Sequence, residues 1–392
     1  MPEPLRIAID GRTLTGRFTG DRTYWRNLIR SLVQIDTTSE YLIYTRTPIP
    51  TGELPDNPHL IQKQIEAPND RLWTLRTLPQ ALRDDRADLL HVQYTIPPNC
   101  PCPVITSVHD ISFRLFPQWF PLKHRILLNL TVPPSMRHAD RVITLSEESR
   151  QQMMRVYGFP KAHIEVTPLG VSEGFAIPPE YANLTPSALQ EMARQITKER
   201  LGIVEPFVLA VGVIQPRKNL PTLIEAFGVA KQRGNLPHIL VLTGKPGWGA
   251  QEQELYTLFT QTGAPKEALR FTGYVEDDLL PWLYRASSAF AFPSLYEGFG
   301  IPVLEGMASG VPTLVSDAPP LPEVAGDGAM IVPARSVKTW TNALIQILSD
   351  TELQQSLAAR GVARASLFTW EETARQTRAI YTDVLTASRS PK

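Results

Sequence analysis

Thirteen short apolar runs, each bounded by turn residues, restrict what this chain can fold into. The first half holds LRIAID (5–10), YLIYT (41–45), HLIQKQI (59–65), ADLLHVQ (87–93), PVITSVHD (103–110), RVITLS (141–146) and HIEVTPLG (163–170). The second half holds FVLAVG (207–212), HILVLTG (238–244), LRFTGY (269–274), SAFAFPS (288–294), PTLVSD (312–317) and AMIVPA (329–334). Helix-like stretches such as TYWRNLIRSLVQI (23–35) and EESRQQMMRVYG (147–158) separate many of them. Strands alternating with helices build parallel sheets through βαβ crossovers. Several runs are apolar throughout, as strands are when helices cover both faces of the sheet.

The alternation breaks once. Residues 171–205 contain prolines, polar residues and one helical piece but no strand, and read as a connection between domains. The expected fold class is α/β: two doubly wound parallel-sheet domains of similar size facing across a cleft. The boundaries that follow are 1–175, a linker at 176–205, 206–368, and a terminal segment at 369–392. That last segment reads as one amphipathic helix, with Trp370, Ile380, Tyr381 and Leu385 as its buried contacts.

Composition removes several classes. At 392 residues the chain exceeds one ordinary core. Basic and acidic side chains balance at 39 each, unlike the basic excess of a nucleic-acid binder. No apolar run reaches the length of a spanning helix, and the first residues have no leader-like pattern. Cys100 and Cys102, in C-P-C, are too few for a structural zinc site, and the simplest expectation is a cytoplasmic protein with both thiols reduced. The 36 prolines are scattered, as turn punctuation and helix starts are.

Ligands in doubly wound sheets bind beyond the carboxyl ends of the strands. At one such end lies S-L-Y-E-G-F-G-I-P-V-L-E-G (294–306), with Glu297 and Glu305 around Gly298 and Gly300. Glycines let a ligand approach the backbone, and the helix start expected at Pro302 favours an anion. Glu305 is expected in the first turn of that helix. The two carboxylates suit hydroxyls: a sugar near Glu297, a ribose near Glu305. The alternative is an ordinary strand-to-helix turn with a dipole-favoured glutamate.

Gly212 ends another apolar run, and Arg217-Lys218 follow it at a helix start. Adjacent cations there suit a diphosphate; the alternative is a solvated charged loop. His109 closes PVITSVHD, placed either to meet a sugar hydroxyl or to satisfy the fold. Gly20, in TGRFTGDRTYW (15–25), either admits a ligand to the backbone or ends a turn. There is no D-x-D tripeptide, so no divalent cation is expected to hold a nucleotide diphosphate, and no cofactor is implied.

Together, RKNLPTLIEAF, FTGYVEDDLLPWLYRAS, PSLYEGFGIPVLEGMASGVP and LPEVAGDGA resemble glycosyltransferase family 4, the retaining GT-B enzymes, most densely from about 208 to 333. The resemblance implies two Rossmann-like domains, with the nucleotide-sugar donor in the second and the acceptor on the first. The terminal helix would return to the first domain. Arg217 and Lys218 match the pair that binds the donor diphosphate and stabilises the leaving group. Glu297 matches the carboxylate beside the donor sugar, and Glu305 the one that holds the ribose. Gly298, Phe299 and Gly300 match the turn whose backbone meets the sugar, and Val275 the position whose backbone meets the base. His109 matches the histidine near the reacting sugar. The loop Gly20-Asp21-Arg22-Thr23-Tyr24 departs from the family's glycine-rich form, which leaves the role of Gly20 open and puts Asp21 and Arg22 on the acceptor side.

The implied activity is transfer of a hexose, from a donor of the GDP-mannose or UDP-glucose type, to a glycan or lipid-linked acceptor. A sugar-nucleotide epimerase and a non-catalytic nucleotide-sugar-binding scaffold are the alternatives. Finally, residues 113–128 mix Phe113, Phe116, Trp119 and Phe120 with Lys123, His124 and Arg125. Such a segment either rests on the inner face of a membrane or packs in a core with a charged outer side.

Overall fold

All thirteen runs form strands, and every strand pairing is parallel. We describe a computed structural model over residues 4–16, 20–247 and 251–389. The first sheet contains β1 (Arg6–Asp10), β2 (Glu40–Thr45), β3 (Leu60–Gln64), β4 (Leu89–Gln93), β5 (Val104–Ser107), β6 (Arg141–Thr144) and β7 (Ile164–Val166). Its order is β3-β2-β1-β4-β5-β6-β7. The second contains β8 (Phe207–Val211), β9 (Ile239–Thr243), β10 (Leu269–Gly273), β11 (Ala289–Phe292), β12 (Thr313–Ser316) and β13 (Met330–Val332), in the order β10-β9-β8-β11-β12-β13. Central strands such as β5 and β11 are buried along their whole length, which is why their sequences show no polar alternation.

Both sheets reverse direction of winding once. In the first, β1 lies between β2 and β4. In the second, β8 lies between β9 and β11. The crevice at such a switch point is where α/β sheets take ligands.

The chain divides into two compact units. One is residues 1–170 with 369–392, the other 171–368. Within the first, the helix Trp370–Arg389 packs against Gly20–Ile35 and buries Trp370, Ile380, Tyr381, Val384 and Leu385. Within the second, the segment read as a linker carries the helix Pro186–Leu201, capped by Thr185 and closed by left-handed Gly202. Its Leu189, Ala193 and Thr197, one turn apart, are buried. Gln190 donates to the Ser287 carbonyl at 3.0 Å, and the Arg285 guanidinium gathers the carbonyls of Gly174, Phe175 and Ala176. This stretch is therefore built into the second unit.

Prolines do open helices, as at Pro186, Pro221, Pro281 and Pro302. Pro133 and Pro134 differ: they lie inside the helix Leu122–His138. In the 113–128 segment, Phe113 and Trp119 are buried and Phe116 stacks on Trp119 at 4.3 Å between centroids. The aromatic residues thus face the core. The apolar side chains in solvent are the aliphatic ones that follow, Leu122, Ile126, Leu127 and Leu130, each at least half exposed.

Candidate active site

The second sheet's switch point gathers the charged residues. β8 ends at Val211, and Gly212 follows at φ +143°, a conformation that L side chains rarely adopt. A Cβ there would lie 3.1 Å from Lys218 Cε, so the glycine makes room for the lysine stem. A 3-10 turn, Pro216–Lys218, then presents both cations. Asn219, left-handed at φ 54°, fixes the turn by donating to the carbonyls of Pro293 and Ala334.

From the adjoining β11, Glu297 meets these cations. Lys218 Nζ donates to Glu297 Oε1 at 2.7 Å, Arg217 Nη1 donates to Oε2, and Ser294 Oγ donates to Oε1 at 2.8 Å. Lys218 and Glu297 are buried; Lys218 also sits 4.5 Å from the Phe292 ring centroid. The solvated-loop alternative fails for Lys218. Burial alone would push the Glu297 carboxyl up, but Arg217 and Lys218 outweigh it and hold it at about 2. Burial brings Lys218 down to about 8 despite the attraction of Glu297.

Gly300, at φ +110°, caps the helix Ile301–Ala308, and a Cβ on it would strike Leu321 Cδ2 at 2.7 Å. Phe299 is buried edge-on against Phe368. Because the helix starts at Ile301, Glu305 falls in its second turn, not its first. Its buried carboxylate accepts from Tyr284 Oη at 3.0 Å, and burial raises it to about 7. Tyr284 was missed in sequence because nothing local links it to Glu305, 21 residues on. Val275 is buried after β10, the edge strand, separated from β11 by β9 and β8.

His109 and Gly20 belong to the first unit. Buried His109 lies beyond β5, its Nδ1 3.3 Å from Asp21 Oδ1 and its Nε2 3.1 Å from Gln93 Nε2. Gln93 also donates to Asp21 at 2.9 Å, and Tyr24 meets the histidine edge-on. Gly20 opens the helix Gly20–Ile35, and a Cβ on it would meet nothing within 4 Å. Packing therefore does not require glycine there. Asp21 faces a cavity of about 420 Å³ that Asp10, Arg12, Gln93 and Tyr94 help to line. Arg22 does not join it: buried, it makes a two-pronged pair with Glu53. A second network lies behind His109. Tyr381 Oη meets His91 Nδ1, His91 Nε2 meets Ser107 Oγ, and Ser107 Oγ meets Tyr24 Oη, at 2.7, 2.7 and 2.8 Å. Burial lowers His91 to about 3 and keeps it neutral.

Against known proteins, the chain is 31% identical over 307 residues to the O-antigen chain mannosyltransferase B of Escherichia coli, covering 78% of this chain and 77% of that one. The chain is a family 4 glycosyltransferase. The family models agree: "Glycosyltransferase Family 4" matches residues 19–175 and "Glycosyl transferases group 1" matches 193–364. Solved structures place this glycosyltransferase in the GT-B fold. Sucrose-phosphate synthase from Thermosynechococcus elongatus superposes with TM-score 0.74 at 20% identity, covering 98% of this chain and all of that one. Anabaena HepE in complex with UDP-glucose superposes with TM-score 0.71 at 18% identity, covering 97% and 100%.

Proposed function

We propose that this glycosyltransferase moves a mannosyl unit, with retention, from a nucleotide-diphosphate sugar to a glycan or lipid-linked saccharide, without an obligatory divalent metal. The observation that carries the reading is the Arg217–Lys218–Glu297 cluster at the switch point of the second sheet. Departure of the diphosphate builds negative charge on the leaving group. Two cations fixed in a turn meet that charge without reorganisation. Glu297, ionised, accepts from a donor-sugar hydroxyl and does not serve as an acid. Glu305, near half-protonation at neutral pH, both donates to and accepts from the ribose hydroxyls. The turn Gly298–Gly300 offers backbone to the sugar, Gly212 leaves room for the Lys218 stem that meets the diphosphate, and Val275 offers its backbone to the base. In the first unit, His109, held by Asp21 and Gln93, offers its ring to a sugar hydroxyl, and Gly20 leaves open space at the start of its helix. The acceptor attacks from the leaving group's own face, and the departing phosphate takes its proton.

The name of the E. coli relative supports mannose, and hence GDP-mannose; the UDP-glucose bound to HepE keeps UDP-sugars in the test. That test is a thermal-shift screen of GDP- and UDP-sugars, with and without divalent metal, followed by product analysis. A ligand that binds only the folded state raises Tm. We expect one nucleotide series to stabilise the protein without metal, and Arg217→Ala to abolish the shift. Metal-dependent stabilisation would remove the metal-free reading. Absence of any shift or product would favour a scaffold, and an epimerised free nucleotide sugar an epimerase. Trapping a glycosyl-enzyme on Glu297 would sink the same-face attack.

A second reading concerns a peripheral place at the inner face of a membrane. Leu122, Ile126 and Leu130 recur at one-turn spacing and are 61%, 50% and 69% exposed, with Lys123 and Arg125 among them and no acidic residue in that helix. An apolar ridge edged by cations suits an anionic lipid surface. Among the described residues no helix is long and apolar enough to cross a membrane. Sedimentation with anionic vesicles, lost in Ile126→Glu/Leu130→Glu, supports the reading; an unchanged distribution ends it.

A further inference from the structure

We infer that Cys100 and Cys102 form a redox-active dithiol that closes into an intramolecular disulfide by exchange with a low-molecular-weight disulfide. Both thiols are free, both are partly exposed, and their sulfurs lie 3.9 Å apart. A disulfide needs about 2.05 Å, so closure asks for a movement of about 2 Å within one tripeptide. The pair sits in the 94–103 loop, which leaves the carboxyl end of β4 and returns to the amino end of β5. His109 lies beyond the opposite end of β5, so the dithiol is separate from the candidate active site.

The surroundings divide the two sulfurs. The two sulfurs share one S–H···S contact, and that contact favours the thiolate on Cys100 and the thiol on Cys102. Arg83 also favours the Cys100 thiolate, while Asp140 opposes it; Asp88 and Asp140 disfavour charge on Cys102. Cys100 is therefore the attacking sulfur, since the thiolate is the nucleophile. It displaces one thiolate from the disulfide reagent and forms a mixed disulfide. Cys102 then loses its proton and attacks the Cys100 sulfur, which expels the second thiol. Two electrons and two protons pass to the reagent: two protein thiols become one disulfide, and one reagent disulfide becomes two thiols.

The test treats the full chain with glutathione disulfide and reads intact mass and free thiols. We expect a chain lighter by two hydrogens, carrying no glutathione and no free thiol, and reversed by dithiothreitol. Cys102→Ser should stop at a stable adduct of one glutathione. Cys100→Ser should form its adduct more slowly, because Asp88 and Asp140 still disfavour charge on Cys102 when Cys100 is gone. Two glutathiones on the parent chain, or no reaction, would overturn the dithiol. Equal rates in the two variants would overturn the assigned roles. Serine replaces cysteine almost isosterically at partly exposed positions, and matching circular dichroism checks the fold.

Discussion

Lys218 and Glu297 are 79 residues apart in the chain, yet the ammonium donates to the carboxylate at 2.7 Å and both groups are buried. Taking one partner away leaves the other charged in a poorly solvated place. Lys218→Met should lower the unfolding free energy by about 3 kcal/mol, the usual cost of breaking a buried pair from one side. Arg217→Met should cost less, because Arg217 is 28% exposed and solvent shares its load. Denaturant unfolding measures both. Equal, negligible losses would mean that the pair is not held in the folded protein.

The two glutamates of the site should act in opposite pH windows. Glu297 binds its proton more weakly in the folded state, at about 2 against a usual 4.5. Its stabilisation is present above about 4.5 and disappears as pH falls towards 2. Glu305 is the reverse: raised to about 7, it holds its proton more tightly when folded. Its contribution is present below about 4.5 and is lost as pH rises through 7. In a series of melting curves Glu305→Gln should flatten the decline between about pH 4.5 and 7, and Glu297→Gln the acid limb. A Glu305→Gln profile parallel to the parent's across that window would overturn the assignment.

Gly212→Ala should damage donor binding more than the fold. The new methyl group meets the Lys218 stem at 3.1 Å and the backbone is held at φ +143°. We expect about 1–3 kcal/mol of strain and donor-induced thermal stabilisation reduced or absent. Full donor stabilisation in this variant would show that Lys218 can move aside freely.

Tyr381→Ala should cost the first unit about 3 kcal/mol, the lower end for a buried aromatic. It also leaves His91 Nδ1 without the hydroxyl it meets at 2.7 Å. Tyr381→Phe separates the terms, since it keeps the ring and removes only the hydroxyl. Urea midpoints for the two variants measure the difference; equal losses would assign the whole effect to the hydrogen bond.

Much of this was legible in the sequence because parallel strands covered on both faces need continuous apolar runs, and turn residues mark their ends. PVITSVHD and SAFAFPS show it. Gly212, Gly300 and the cations were legible for a related reason: a switch point needs glycine and ligand-binding charge near strand ends. Side-chain pairing across distance was not. No local pattern ties Lys218 to Glu297, Tyr284 to Glu305, or Arg22 to Glu53. The 113–128 segment misled because aromatic content said nothing about direction. Phe113 and Trp119, before the helix Leu122–His138, are buried, whereas Leu122, Ile126, Leu127 and Leu130 within it are exposed.

Chain order gives the terminal helix a consequence in time. The first unit takes its last helix, Trp370–Arg389, only after the whole of 171–368 has been made. On the ribosome, where segments emerge from the amino end, the second unit is complete while the first still exposes the face that this helix covers. The first unit therefore finishes last although it is begun first, and a chain stopped near residue 368 leaves Tyr24 and His91 without the Trp370 and Tyr381 rings that meet them.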